Sequence, residues 1–142
     1  MSGRAAIAKN LRFWHWYPQI LVPELSVDQT NWQPQSHDTS AAFALFHAYR
    51  CSDDLGHGMG MGGKPSVYQR DGWASRLAVP EEGGPFGNNL TREQIGALTL
   101  DPNALCEYAA AVGESLASYV ETASDDALAV EVELPFFRTV YA

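Results

Sequence analysis

The chain has 142 residues, 46% of them hydrophobic, which is enough for one domain with a sizeable core and too few for two. Nine Lys and Arg stand against seventeen Asp and Glu, a formal charge of −8, and the scattered basic residues exclude a surface built to neutralise nucleic-acid phosphates or anionic lipid. Two cysteines, Cys51 and Cys106, are too few for a disulfide framework; with no secretory-signal layout and no stretch long enough to cross a bilayer, a cytoplasmic protein with free thiols is expected.

In residues 5–22 the apolar side chains Ile7, Leu11, Trp14 and Leu21 recur at three- or four-residue steps or their multiples, which predicts an amphipathic helix. Pro18 removes one backbone donor and crowds the preceding turn, so a kink or stop is expected near Tyr17. Ser26-Val-Asp-Gln29 has capping-box form and predicts a single helical turn before Gln33-Pro34. Asp38, Thr39 and Ser40 are all good N-caps for a second helix over residues 40–55, whose core stripe is Phe43, Phe46, His47 and Arg50 or Cys51.

Five glycines lie in the eight residues from Gly56 to Gly63, each destabilising a helix by roughly 1 kcal/mol relative to alanine, so the second helix is expected to fray or end there. A phosphate-binding loop is rejected, because a helix precedes this segment and Lys64-Pro65 follows it. Residues 64–90 read as a long ordered crossover packed down by Tyr68, Trp73 and Phe86. Thr91-Arg-Glu-Gln94 starts a short helix, and Asp101-Pro102 caps a long one to about residue 122, with Leu105, Ala109, Val112, Leu116 and Val120 on one face. After it the period changes to alternation over residues 129–134, and residues 136–141 continue in β-favouring types, which predicts two short strands or a hairpin.

His47 is the principal candidate site residue. Cys51 and Asp54 follow at four and seven residues, on the same helical face, and imidazole, thiolate and carboxylate all bind zinc-like ions. The competing reading is a core histidine bonded to a carbonyl or to a neighbour. Three ligands on one helix do not easily converge on one ion, so a second element has to contribute. His57 is expected to be solvated, and His15 and His37 to be surface or locally bonded. A cysteine nucleophile is weakly supported, since a thiol in an apolar helical stripe is more often a small core residue.

Leu11-Arg-Phe-Trp-His-Trp-Tyr-Pro-Gln-Ile20 as a first helix, Leu25-Ser-Val-Asp-Gln-Thr-Asn-Trp-Gln-Pro34 as a linking turn and Phe43-Ala-Leu-Phe-His-Ala-Tyr-Arg50 as a second helix together resemble the DinB-like superfamily, which includes thiol-dependent transferases and isomerases. Tyr68-Gln-Arg-Asp-Gly-Trp-Ala-Ser-Arg-Leu-Ala-Val-Pro80 looks like the crossover of one branch. The resemblance implies an all-α up-down four-helix bundle, here a single domain over residues 1–142 with three main helices, the long crossover and a strand-like tail. It further implies a divalent-metal site, zinc or nickel-like, made by three histidines. His47 matches the first. The other two form a His-x-x-x-His pair on the last helix, which this sequence does not contain, so the domain reads as truncated before that helix and the metal site as incomplete.

The expected function is therefore a divalent-metal-dependent enzyme acting on a small molecule, by thiol transfer or hydrolysis. The alternative is a non-catalytic small-ligand or protein-binding module with a groove lined by Phe43, Phe46, Trp14 and Leu116. Expected partners are a small-molecule or thiol substrate and a second copy of the chain, because three amphipathic helices without a fourth leave apolar surface uncovered. Nucleic acid and membrane are not expected.

Overall fold

The computed structural model describes residues 2–36 and 39–131; His37, Asp38 and the expected strands, save residues 129–131, lie outside the described residues. The fold is all-α, with no strand among those residues. Its long elements are α1 (Gly3–Trp16), α4 (Ala41–Asp54) and α8 (Pro102–Thr122). Between them lie the short helices α2 (Pro18–Leu21), α3 (Val27–Asn31), α5 (Val67–Arg70), α6 (Trp73–Leu77) and α7 (Arg92–Gly96), and α9 (Asp125–Leu128) follows α8.

Local signals fix most boundaries. Ser2, Ser40 and Asp101 cap α1, α4 and α8 by accepting from Ala5, Phe43 and Asn103 N–H, and full capping boxes start α3 at Ser26 and α7 at Thr91. Pro18 ends α1 as expected. Having no N–H, it cannot bond the Trp14 carbonyl, and the Tyr49 hydroxyl of α4 donates to that oxygen instead, at 3.2 Å. The stop therefore doubles as a contact between helices.

α1 lies along α8. Gly113 makes that approach possible, for a Cβ there would sit 3.1 Å from the Leu11 carbonyl and closer still to the His15 side chain. Outside this seam Arg12 spans Glu114 and Glu121 with four N–H to oxygen bonds of 2.7 to 2.9 Å. These bonds hold both carboxyls below, and the guanidinium above, their ordinary ranges. At the far end Arg4 bonds the Ala123 carbonyl and Asp125, tying α1 to the α8–α9 corner.

The core lies between α4, α8 and the crossover. Phe43 and Phe46 of α4 meet Leu105, Tyr108, Val112 and Leu116 of α8, and Val67, Trp73 and Leu77 close the layer from α5 and α6. The crossover carries more regular structure than its composition suggested, because Ser66 has a capping box and Gly72, at φ 78°, takes the left-handed turn between α5 and α6. A 3-10 turn, Glu81–Gly83, precedes Gly87, whose φ of 77° and close approach to Phe43 exclude a side chain.

Two expectations are corrected. α4 ends at Asp54, as expected, but the glycine segment does not fray; it continues as a π-helical turn, Leu55–Gly60. Gly56 passes so close to Leu116 that a Cβ would overlap it, so packing against α8 decides where propensity pointed to fraying. The groove of Phe43, Phe46, Trp14 and Leu116 does not exist as such. Trp14 is 60% exposed on the outer side of α1, while the other three are core residues.

Candidate functional site

The inward face of α4 carries Phe46, Arg50, Asp53 and Asp54, and the π-helical turn adds His57. Steps of three and four residues keep these groups on one side of the helix. Asp53 is fully buried and is the hub: its carboxylate accepts from Val67 N–H and Tyr68 N–H, both at 2.9 Å, and from the Tyr108 hydroxyl at 2.8 Å. A buried carboxylate of this kind is tolerable only because every face of it meets a donor. It pins the start of α5 to α4 and α8 together.

Arg50, its side chain only 4% exposed, lies beside it. Its Nε donates to the Pro85 carbonyl at 3.1 Å, and Nη1 and Nη2 grip Asp54 bidentately at 2.8 and 2.7 Å. Nη1 also lies 3.5 Å from Asp53, and the guanidinium carbon stacks 4.1 Å from the centre of the Tyr68 ring. Burial works against this charge, but Tyr108 and Asp54 outweigh it and hold the guanidinium above its ordinary range. Burial and the Asp53 carboxylate push the Tyr108 phenol far up, so it acts as a donor.

His57, expected to be solvated, is fully buried. Its Nδ1 faces the Asp53 carbonyl at 2.9 Å and the Asp53 carboxylate at 2.8 Å, so Nδ1 carries the hydrogen and Nε2 accepts from the Ser115 hydroxyl at 2.8 Å. Ser115–His57–Asp53 thus has the connectivity of a nucleophilic triad. Its chemistry does not follow: the enclosed imidazole cannot pass a proton to a leaving group, and Arg70 Nη2 already occupies the hydroxyl at 3.0 Å. The chain of bonds fastens the π-helical turn to α8. His15 does the same for α1, donating from Nδ1 to the Leu11 carbonyl and accepting at Nε2 from the Ser52 hydroxyl, both at 2.8 Å.

His47 stands apart from this network and is half-buried rather than enclosed. Its Nδ1 donates to the Phe86 carbonyl at 3.0 Å, which leaves Nε2 as its open nitrogen, 3.7 Å from Cys51 Sγ. Burial, assisted by Asp54, raises the Cys51 thiol above its ordinary range; burial does the same for Cys106. Neither is an activated thiolate. Asp54 does not complete a set with His47 and Cys51, because it is turned to Arg50 and the three side chains are not grouped. Among the described residues no three His, Cys, Asp or Glu side chains are grouped to hold a metal ion, so the residues present supply a pair of donors and not a centre.

The buried network opens on one side into a cleft of about 500 Å³. Arg50, Asp54 and Tyr68 form its inner wall, Phe46 and Val79 its apolar part, and Glu81 stands at its edge. Arg50, Asp53, Tyr68 and Tyr108 were not singled out from the sequence as site residues. The available signal was an arginine and an aspartate on the apolar stripe of a helix, where a charge is buried only if paired.

No helix among the described residues is long and apolar enough to cross a membrane. Comparison with protein-family models and with curated proteins finds no match for this chain.

Proposed function

We propose that this protein is a DinB-like helical bundle that binds a small molecule in the cleft beside Arg50 and Tyr68. The cleft itself carries the reading: about 500 Å³, of the size that holds a small ligand, with apolar walls and a few fixed polar groups over a rigid buried network. Three long helices joined through a packed crossover support the DinB-like arrangement. Ala74 lines the cleft from the exposed side of α6, so Ala74→Trp should fill it without touching the core. A panel of small thiols and aromatic compounds is expected to raise the melting temperature of the wild type and to lose that effect in Ala74→Trp. A flat wild-type response across the panel would count against the cleft.

A second reading, metal-dependent thiol transfer or hydrolysis, is favoured by one observation. His47 has its Nδ1 fixed on a backbone carbonyl and its Nε2 directed toward Cys51, the orientation that metal-ligating histidines adopt. Such a site would take its remaining ligands from outside the described residues or from a second copy. Metal analysis after loading with zinc or nickel should then show bound ion that His47→Ala removes; protein that retains no ion in either form would sink this reading. A homodimer belongs to the same proposal, supported by the exposed aromatic side of α1.

A further inference from the structure

A buried arginine in the wall of a cleft ordinarily marks a site for a carboxylate or phosphate. Here the N–H groups of Arg50 are committed to Asp54 and the Pro85 carbonyl, with Ser66 and Tyr108 each 3.5 Å from Nη1. The charge is committed too, since Asp53 and Asp54 both lie against it. An incoming anion would have to displace a bidentate carboxylate on the same helix and then sit beside Asp53.

The acceptors are differently placed. Glu81 stands at the cleft edge, exposed, and forms no ion pair with any described residue. Asp54 lines the same cleft with its side chain 21% exposed, and a carboxylate oxygen already bonded once retains a second lone pair. The other cations of the neighbourhood are engaged elsewhere. Lys64 sits over the Tyr119 ring, Arg70 bonds Asp71 and Ser115, and Arg76 bonds Glu107 and stacks on Trp73. Two carboxylates, those of Asp54 and Glu81, therefore line the cleft with a single guanidinium, that of Arg50.

We infer that the cleft selects a small ligand carrying a protonated amine, held between Glu81 and Asp54 with its apolar part against Phe46 and Val79. This rests on the cleft being the ligand site, and the test separates the two claims. Benzylammonium, benzyl alcohol and benzoate share a ring and differ in charge, and each is titrated calorimetrically into wild type, Glu81→Gln and Ala74→Trp. Benzylammonium should bind best and benzoate worst. Glu81→Gln should weaken benzylammonium by about threefold, the scale of a partly exposed charge pair, and leave the alcohol unchanged. Benzoate or benzyl alcohol binding as well as benzylammonium, with all binding lost in Ala74→Trp, would overturn the amine selectivity and keep the cleft. No binding of any probe, or binding that survives Ala74→Trp, would overturn the cleft as well.

Discussion

The three described histidines share one bonding scheme: Nδ1 donates to a backbone carbonyl and Nε2 is left to accept, from Ser52 for His15, from Cys51 for His47 and from Ser115 for His57. Burial then separates their roles. His15 and His57 are enclosed and serve as fasteners between helices, whereas His47 alone keeps a half-buried nitrogen beside a polarisable sulfur. Burial holds His15 below its ordinary value of 6.5, against the Leu11 carbonyl and Asp53, which favour the charged ring. The unfolded chain therefore binds more protons than the native one just below that value, and this contribution to stability is complete above it and lost as pH falls toward the native pKa. Urea unfolding compared at about pH 7.5 and about pH 5 should show stability falling, with a shallower fall in His15→Gln. Equal slopes for the two proteins would show that His15 is not the group responsible.

At the scale of elements, caps and prolines were legible because they act locally. Ser26, Ser40, Thr91 and Asp101 start helices where hydroxyl or carboxylate spacing indicates, and Pro18 stops α1. The π-helical turn was not legible. Its glycines read as a breaker, yet they are what allows Leu55–Gly60 to pack under Leu116 and deliver His57 to Asp53 and Ser115. Glycine therefore has opposite meanings at two helical positions. Gly113 faces the Leu11 carbonyl across the α1–α8 seam, so Gly113→Ala is expected to destabilise by ~1–3 kcal/mol despite alanine's better propensity. Gly58 has open space where its Cβ would go, and Gly58→Ala should be neutral or stabilising by up to ~1 kcal/mol. Denaturant midpoints for both variants provide the check, and a stabilised Gly113→Ala would contradict the close seam.

Across the whole molecule the unusual feature is apolar surface. Trp14 is 60% exposed, Trp16 46%, Ile20 51% and Leu21 57%, and Phe13, Trp14 and Tyr17 meet edge-on or tilted at ring separations of 5.4 to 5.8 Å outside the core. A contiguous aromatic surface of this kind favours association. Sedimentation velocity at rising concentration should show a monomer–dimer equilibrium that Trp14→Glu shifts toward monomer, and a single monomeric species throughout would remove the homodimer from the proposal. The charge of −8 opposes association through net repulsion, so added salt should strengthen the dimer.

Helix spacing and capping chemistry were sufficient by themselves for the three long helices and most of their ends, since each depends on contacts within about one turn. The site was a different matter. His47, Cys51 and Asp54 share a helical spacing, but tertiary structure turns Asp54 to Arg50, leaves His47 with Cys51 and the Phe86 carbonyl, and assembles the buried hub from Asp53, Tyr108 and the first N–H groups of α5. Those partners lie 14 to 55 residues from Asp53 along the chain. Periodicity reports which face a residue occupies; only the packed fold decides which distant donor meets it there, because the cost of burying a charge is settled by partners that local sequence does not contain.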